Sequence, residues 1–275
     1  MSTIDDDHWH GSDSPIDDVA YLTRSEHRVR ALDVLTTRPR SRSELCELTG
    51  ASSSTVRRTL REFEDRAWIR RDGHRYEITQ LGAFVAAGVE ELIDRVETER
   101  KLRDVWEGLP NEDGDFAIEM WSDAIVTTPT RGDPYAPVNR FESLLRETTE
   151  VRFVGAEIAL IEPCTDAFLQ LADHGRDVAV IQRPSCTEYV RSTYPEWYSA
   201  ALERRELTVL EYDDQPSSGI GLFDHRIVVS CYDRYSGAVR AVIETDGAKA
   251  REWAESVFSF YRAVARPLVP ELAVR

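Results

Sequence analysis

Residues 43–79 read SELCELTGASSSTVRRTLREFEDRAWIRRDGHRYEIT, and this stretch decides the fold of the N-terminal third. A short helix runs through Glu44 to Leu48, and Thr49-Gly50-Ala51 makes a tight turn in which Gly50 suits a left-handed backbone. A second helix opens on Ser52, Ser53 and Ser54, whose hydroxyls can cap the orphan amides of its first turn. Val56, Leu60 and Phe63 recur at spacings of four and three, so they form one buried stripe. Arg57, Arg58 and Arg61 fall off that stripe, and Thr55 sits near the helix start. Trp68-Ile69-Arg70-Arg71 and Arg75-Tyr76-Glu77-Ile78 flank Asp72-Gly73-His74, and Asp-Gly between two β-prone runs marks a hairpin. Upstream, Val29, Leu32 and Leu35 mark a further helix.

This order of elements is that of a winged helix-turn-helix, whose second helix enters the major groove of double-stranded DNA. Hydroxyls at a helix N-terminus suit phosphate oxygens, and arginine can grip a guanine edge with two hydrogen bonds. The candidate DNA contacts are therefore Arg42, Ser52, Ser53, Ser54, Thr55, Arg57, Arg58, Arg61, Arg70, Arg71, His74 and Arg75. Charge supports the assignment. Residues 20–82 hold thirteen arginines against nine acids, in a chain whose formal net charge is −16. The first nineteen residues carry six aspartates and no base. A basic island in an acidic chain is simplest to explain by phosphate contact.

Composition narrows the setting. At 275 residues there is room for two domains. No apolar run reaches the ~20 residues of a membrane span, and no signal peptide precedes the aspartate-rich start, so a soluble cytoplasmic protein is expected. Cys46, Cys164, Cys186 and Cys231 lie far apart, which argues for free thiols and against structural zinc or a disulfide framework. Neither a metal nor a cofactor is expected; His8-Trp9-His10 falls in an aspartate-rich tail that reads as disordered.

The chain divides on the sequence into an acidic disordered tail (1–19), a winged domain (20–80), linker or dimerisation helices (81–110) and an α/β effector domain (111–275). In the linker, Leu81, Phe84, Val85, Val89, Leu92 and Val96 recur at helical spacing, to cover the winged core and to pair with a second copy in a homodimer. The phase breaks at Glu97 to Lys101, and Leu102, Val105, Trp106 and Leu109 form a new stripe before Pro110. Asn111-Glu112-Asp113-Gly114-Asp115 reads as the boundary linker. Beyond it, strands at Val151–Val154, Val178–Ile181 and Leu207–Leu210 alternate with helices, which implies parallel neighbours. A hairpin of 221–223 with 226–232, a strand at Val239–Glu244 and a closing helix complete a mixed sheet. That helix is expected to bury Ala250, Trp253, Ala254, Val257, Phe260, Tyr261 and Val264 and to end at Pro267. The fold class is thus α+β and multidomain, a winged helix-turn-helix followed by an α/β domain.

Asp133-Pro134-Tyr135-Ala136-Pro137, Gly221-Leu222-Phe223-Asp224-His225-Arg226 with Tyr232-Asp233, and Arg251-Glu252-Trp253-Ala254 carry a resemblance. The chain is similar to archaeal, notably haloarchaeal, winged-helix regulators whose second half is the middle domain of methanogenesis regulatory proteins. The resemblance implies a transcriptional regulator with a ligand-sensing or partner-sensing half, related in outline to phospholipase D-like domains. Phospholipase D chemistry needs paired His-x-Lys motifs, and neither Lys101 nor Lys249 has a histidine two residues before it, so no enzyme is expected. A small-molecule effector would sit beyond the carboxyl ends of the parallel strands. That places Glu157 and Arg183 there, with Arg131, Asp133 and Tyr135 on a loop able to line the same cleft. The alternative reading is an adaptor of the transcription machinery that senses nothing.

Only two lysines occur among 34 basic residues, against 50 acids, the pattern of a salt-accumulating cytoplasm. A carboxylate-dense surface is stabilised when salt screens its self-repulsion. Unfolding midpoints measured across a potassium chloride series should therefore rise from low to molar salt; equal midpoints at both ends contradict the halophilic reading.

Overall fold

The computed structural model describes residues 14–110 and 116–268 and divides into two compact units, Met1–Asp94 and Arg95–Arg275. His8-Trp9-His10 and the Asn111–Asp115 tract lie outside the described residues.

In the first unit, α1 (Pro15–Thr23), α2 (Glu26–Thr37), β1 (Arg40–Ser41), α3 (Arg42–Thr49), α4 (Ser53–Asp65), β2 (Ile69–Asp72) and β3 (Arg75–Ile78) succeed one another. The strands pair antiparallel in the order β1-β3-β2. Leu22, Leu32, Leu35, Leu45, Val56, Leu60, Phe63 and Trp68 form the core. This is a winged helix-turn-helix. Gly50 closes α3 at φ 68°, and Gly73 turns the wing at φ 59°. The acidic tail ends earlier than expected. Ser14 caps α1 by accepting from the Ile16 amide at 3.1 Å, and Asp17 accepts from the Ser14 amide at 3.3 Å, so two of the tail's acids serve a helix start.

The linker also departs from expectation. One helix, α5 (Gln80–Leu102), runs through the supposed break at Glu97 to Lys101. Val89 is buried and Val85 half-buried, whereas Leu81, Phe84, Leu92 and Val96 are exposed. The six apolar positions span too wide an arc for one contact, and only its inner side meets the winged core. A 3-10 segment, Arg103–Gly108, follows; Leu102, Val105 and Leu109 are buried, but Trp106 is exposed.

The second unit is built on an eight-stranded mixed sheet. Its strands are β4 (Ile125–Thr127), β5 (Glu150–Ala156), β6 (Asp177–Gln182), β7 (Leu207–Glu211), β8 (Gly219–Phe223), β9 (Ile227–Tyr232), β10 (Val239–Thr245) and β11 (Arg266–Pro267). Their spatial order is β11-β7-β6-β5-β8-β9-β10-β4, parallel across β5-β6-β7 and antiparallel elsewhere. The helices are α6 (Ala136–Glu147), α7 (Ile158–Asp173), α8 (Pro184–Thr193), α9 (Pro195–Leu202) and α10 (Ala248–Val264). Phe141, Phe153 and Phe168 anchor one apolar cluster, and Trp121, Trp253 and Phe258 the other. Asp133 to Pro137 opens α6 instead of leading into a strand. On α10, Trp253 and Tyr261 are buried as expected and Phe258 joins them, while Phe260 and Val264 are exposed; Pro267 pairs with Leu210 in β11, beyond the helix end. The four thiols are free, three of them buried, and burial pushes Cys164, Cys186 and Cys231 up to about 12. No helix among the described residues is long and apolar enough to cross a membrane.

One ion pair ties a helix to the sheet. The Glu244 carboxylate is 1% exposed and accepts both forks of Arg140 at 2.7 and 2.8 Å, with Arg226 at 3.3 Å. Removing one side of a buried pair leaves an uncompensated charge, at a cost of about 3–5 kcal/mol. Arg140→Ala, which leaves the buried Glu244 with only the longer Arg226 contact, should lower the unfolding free energy toward that order, and Arg226→Ala far less, because Glu244 then keeps both Arg140 hydrogen bonds.

Candidate nucleic-acid interface

The face that α4 presents follows from the face it buries. Val56, Thr59, Leu60 and Phe63 point into the core, so at 100° per residue Ser54, Arg57, Arg58 and Arg61 share an outward arc of about 100°. All four are exposed. Among the described residues no ion pair holds Arg57, Arg58 or Arg61, whereas Arg38, Arg66 and Arg70 each meet a carboxylate. The helix start is rich in hydroxyls. Ser52 caps it by accepting from the Thr55 amide at 3.3 Å, and its Oγ lies 3.0 Å from Ser54 Oγ and 2.9 Å from Thr55 Oγ1. Ser53 is exposed beside them, and Thr55 is half-buried. The first turn of α4 holds no acid, which leaves its amide dipoles open to an anion.

The wing contributes less than its four basic residues suggest. Arg70 is bound across the hairpin by Glu77 at 2.7 Å, and Arg71 donates to the Gly73 carbonyl at 3.0 Å. His74 and Arg75 are exposed at the tip. Arg42 is the exposed first residue of α3, next to a capping box in which Glu44 accepts from the Ser41 amide at 2.8 Å.

Several positioning residues had no readable signal. The guanidinium groups of Arg28 and Arg66 lie 4.1 and 4.4 Å from the centre of the Tyr21 ring, and Arg66 also meets Asp18 and Glu62. This bundle pins α1 to α2 and to the end of α4. Burial, with help from the charges of Arg28 and Arg58, lowers the His27 pKa. Gly82 has no room for a side chain, since a Cβ would lie 2.0 Å from the Trp68 carbonyl oxygen.

In the second unit, Glu157 stands at the start of α7 and Arg183 at the start of α8, joined by an ion pair of 2.9 Å beyond the ends of β5 and β6. Burial and the Glu157 charge hold the Tyr232 phenol well above its usual pKa. Arg131, Asp133 and Tyr135 follow β4, the edge strand, which β8, β9 and β10 separate from β5. Asp133 spends its carboxylate locally, accepting from the Tyr135 amide at 3.1 Å and the Asn139 amide at 3.3 Å. The recorded contacts of this loop are its own, and none reaches the Glu157–Arg183 pair.

Residues 16–101 match the family model described as HVO_A0261 N-terminal domain, and residues 134–264 match that of the methanogenesis regulatory protein FilR1, middle domain. In its two parts the chain is thus similar to an HVO_A0261 N-terminal domain and to a FilR1 middle domain. The first spans every candidate on α3, α4 and the wing; the second holds Glu157, Arg183, Asp224 and Tyr232, while Arg131 and Asp133 precede it. The motif-based resemblance to archaeal regulators is thereby borne out. No curated protein matches the sequence. Among solved structures, the archaeal chromatin protein TrmBL2 is 12% identical over 92% of this chain and 99% of its own, with a TM-score of 0.43. NucT from Helicobacter pylori is 10% identical over 53% and 98%, at 0.42. The phospholipase D family member Nuc from Salmonella typhimurium is 12% identical over 54% and 98%, at 0.38.

The Ser41 amide, the Ser41 hydroxyl and Arg38 hold the Glu44 carboxyl at about 2, below its ordinary value. A carboxyl depressed in the folded state stabilises the fold above its unfolded pKa, and that contribution is lost as pH falls through the folded value. A carbon-detected titration should show Glu44 ionised down to about pH 2. In Ser41→Ala, which keeps the backbone and Arg38 contacts but loses the hydroxyl, the midpoint should move up.

Proposed function

We propose that this chain is a DNA-binding transcriptional regulator that reads promoter sites as a homodimer, with its α/β half modulating the affinity. The observation that carries the reading is the row Ser54, Arg57, Arg58 and Arg61, exposed and free of acidic partners on the outward face of the second helix of a winged helix-turn-helix. In that fold this face enters the major groove, where arginine forks match the paired acceptors of guanine. His74 and Arg75 at the wing tip, Arg42 at the start of α3 and the serine cluster supply backbone contacts. Arg70 and Arg71 orient the wing through Glu77 and Gly73. A chain of two regulatory-type domains supports the same reading.

The effector role rests on the Glu157–Arg183 pair beyond the carboxyl ends of β5 and β6, where the sheet changes from parallel to antiparallel neighbours across β5. A small molecule bound there alters DNA affinity only by binding two conformations unequally.

The test is genome-wide immunoprecipitation of the tagged protein beside an Arg57→Ala/Arg58→Ala variant of equal abundance. Discrete promoter peaks, lost in the variant, are expected. On a recovered site the two substitutions should weaken binding by about 2–6 kcal/mol, at 1–3 kcal/mol per bidentate base contact. Peaks indifferent to both arginines, or none at all, would sink the DNA-reading assignment and leave a protein-interaction role.

A further inference from the structure

The helix α5 has two apolar sides, and only one of them is used within its unit. Gly82, Val85 and Val89 face the winged core. About a quarter-turn round, Leu81, Phe84, Gly88 and Leu92 form a second ridge, in which Leu81 is 62%, Phe84 81% and Leu92 47% exposed. Three large side chains so exposed present on the order of 400 Å² of apolar surface, the size at which a patch marks an interaction site. Gly88 stands in the middle of this ridge. A Cβ there would meet nothing within 4 Å, so the fold of one copy gives no reason for a residue that weakens a helix interior. Glycine at such a place lets another backbone approach closely.

We propose that the occupant of the ridge is a second copy of this chain, its α5 crossing antiparallel at Gly88. The proposal rests on the homodimer of the preceding section and names its surface and orientation. A two-fold axis through Gly88 sets Leu81 toward the partner's Arg95 and Phe84 against the partner's Leu92, so each ridge covers the other with the same residues. Charge selects the orientation. Residues 80–89 carry no charge, whereas Glu90, Glu91, Asp94 and Arg95 follow at once. An antiparallel crossing lays the acid-rich turn of one copy beside the uncharged, amide-rich first turn of the other, where the helix dipole favours it. A parallel pair would set Glu91 beside Glu91 and Arg95 beside Arg95. Two ridges with the side chains that flank them bury about 1,000 Å², enough for a specific interface. The groove on the opposite side of α5, lined by Leu22, Val29, Val34, Ala86 and Ile93, stays open in this arrangement.

Light scattering and sedimentation of the full chain at molar salt, without DNA, test the proposal. A dimer at micromolar concentration is expected. Phe84→Glu should weaken it by about tenfold or more, and so should Gly88→Leu, for which the isolated unit has space and whose thermal unfolding should not suffer. In a Cys46→Ser background, Gly88→Cys should cross-link two copies under mild oxidation and Leu81→Cys should not. The Arg57→Ala/Arg58→Ala protein should remain dimeric, which separates this interface from the DNA-reading face. A monomeric parent chain, a dimer unaffected by both ridge variants, or cross-linking at Leu81 as well as Gly88 overturns the proposal.

Discussion

The burial of Val56, Leu60 and Phe63 is the constraint on which the proposed DNA-reading face depends. Those side chains fix the rotation of α4 about its own axis, and the rotation decides which residues look outward. A slip of one residue would turn the arginines by about 100° and carry Arg57 toward the core. The Tyr21 cluster serves the same end from the other side: Arg66, just past the end of α4, is held by Asp18, Glu62 and the Tyr21 ring. Basic residues of this unit therefore divide by role. Those with carboxylate or carbonyl partners, Arg28, Arg38, Arg40, Arg66, Arg70 and Arg71, shape the fold, and Arg57, Arg58 and Arg61 are exposed without such partners among the described residues.

A comparable economy governs the α/β unit. Asp224, which follows the strand β8, accepts from the Thr149 and Glu150 amides at 2.8 Å each and from the Thr149 hydroxyl. That one carboxylate closes the β8–β9 turn onto the entry to β5. Arg251 donates to the Phe223 and Asp224 carbonyls, so α10 is fastened to the same turn. The mixed sheet is therefore tied at its parallel-to-antiparallel junction, one end of which carries Glu157.

The sequence was legible wherever a short-range rule acts alone. Helix spacing at Val56, Leu60 and Phe63, the Asp72-Gly73 hairpin, the left-handed Gly50 and the alternation of strands and helices all depend on neighbours within a few positions. It failed where distant partners decide. The edge strand β4 is three residues long and forms because β10 offers a free edge. The start of α6 at Ala136 looked like loop because Pro134 and Pro137 flank it, although proline in a first turn is compatible with a helix. Phe258 and Phe260 are indistinguishable by composition, and only the curvature of contacts along α10 puts one inside. On the candidate sites, Glu157 and Arg183 lie together as strand ends require, while Arg131, Asp133 and Tyr135 do not join them, since proximity in sequence to a strand says nothing of which strand lies next to which.

Net charge finally bears on how such a protein could read DNA at all. The whole chain carries −16, against which residues 20–82 form a local basic island of thirteen arginines and nine acids. In concentrated salt the counterion-release contribution of phosphate contacts shrinks, because the entropy gained by freeing an ion into an ion-rich solution is small. Hydrogen bonds to base edges do not depend on that release. A reader working in high salt should then concentrate its free guanidinium groups where bases are reached and can dispense with a diffuse basic surface. Three unpaired arginines on one helical arc, beside a wing whose Arg70 is already neutralised by Glu77, are such a distribution.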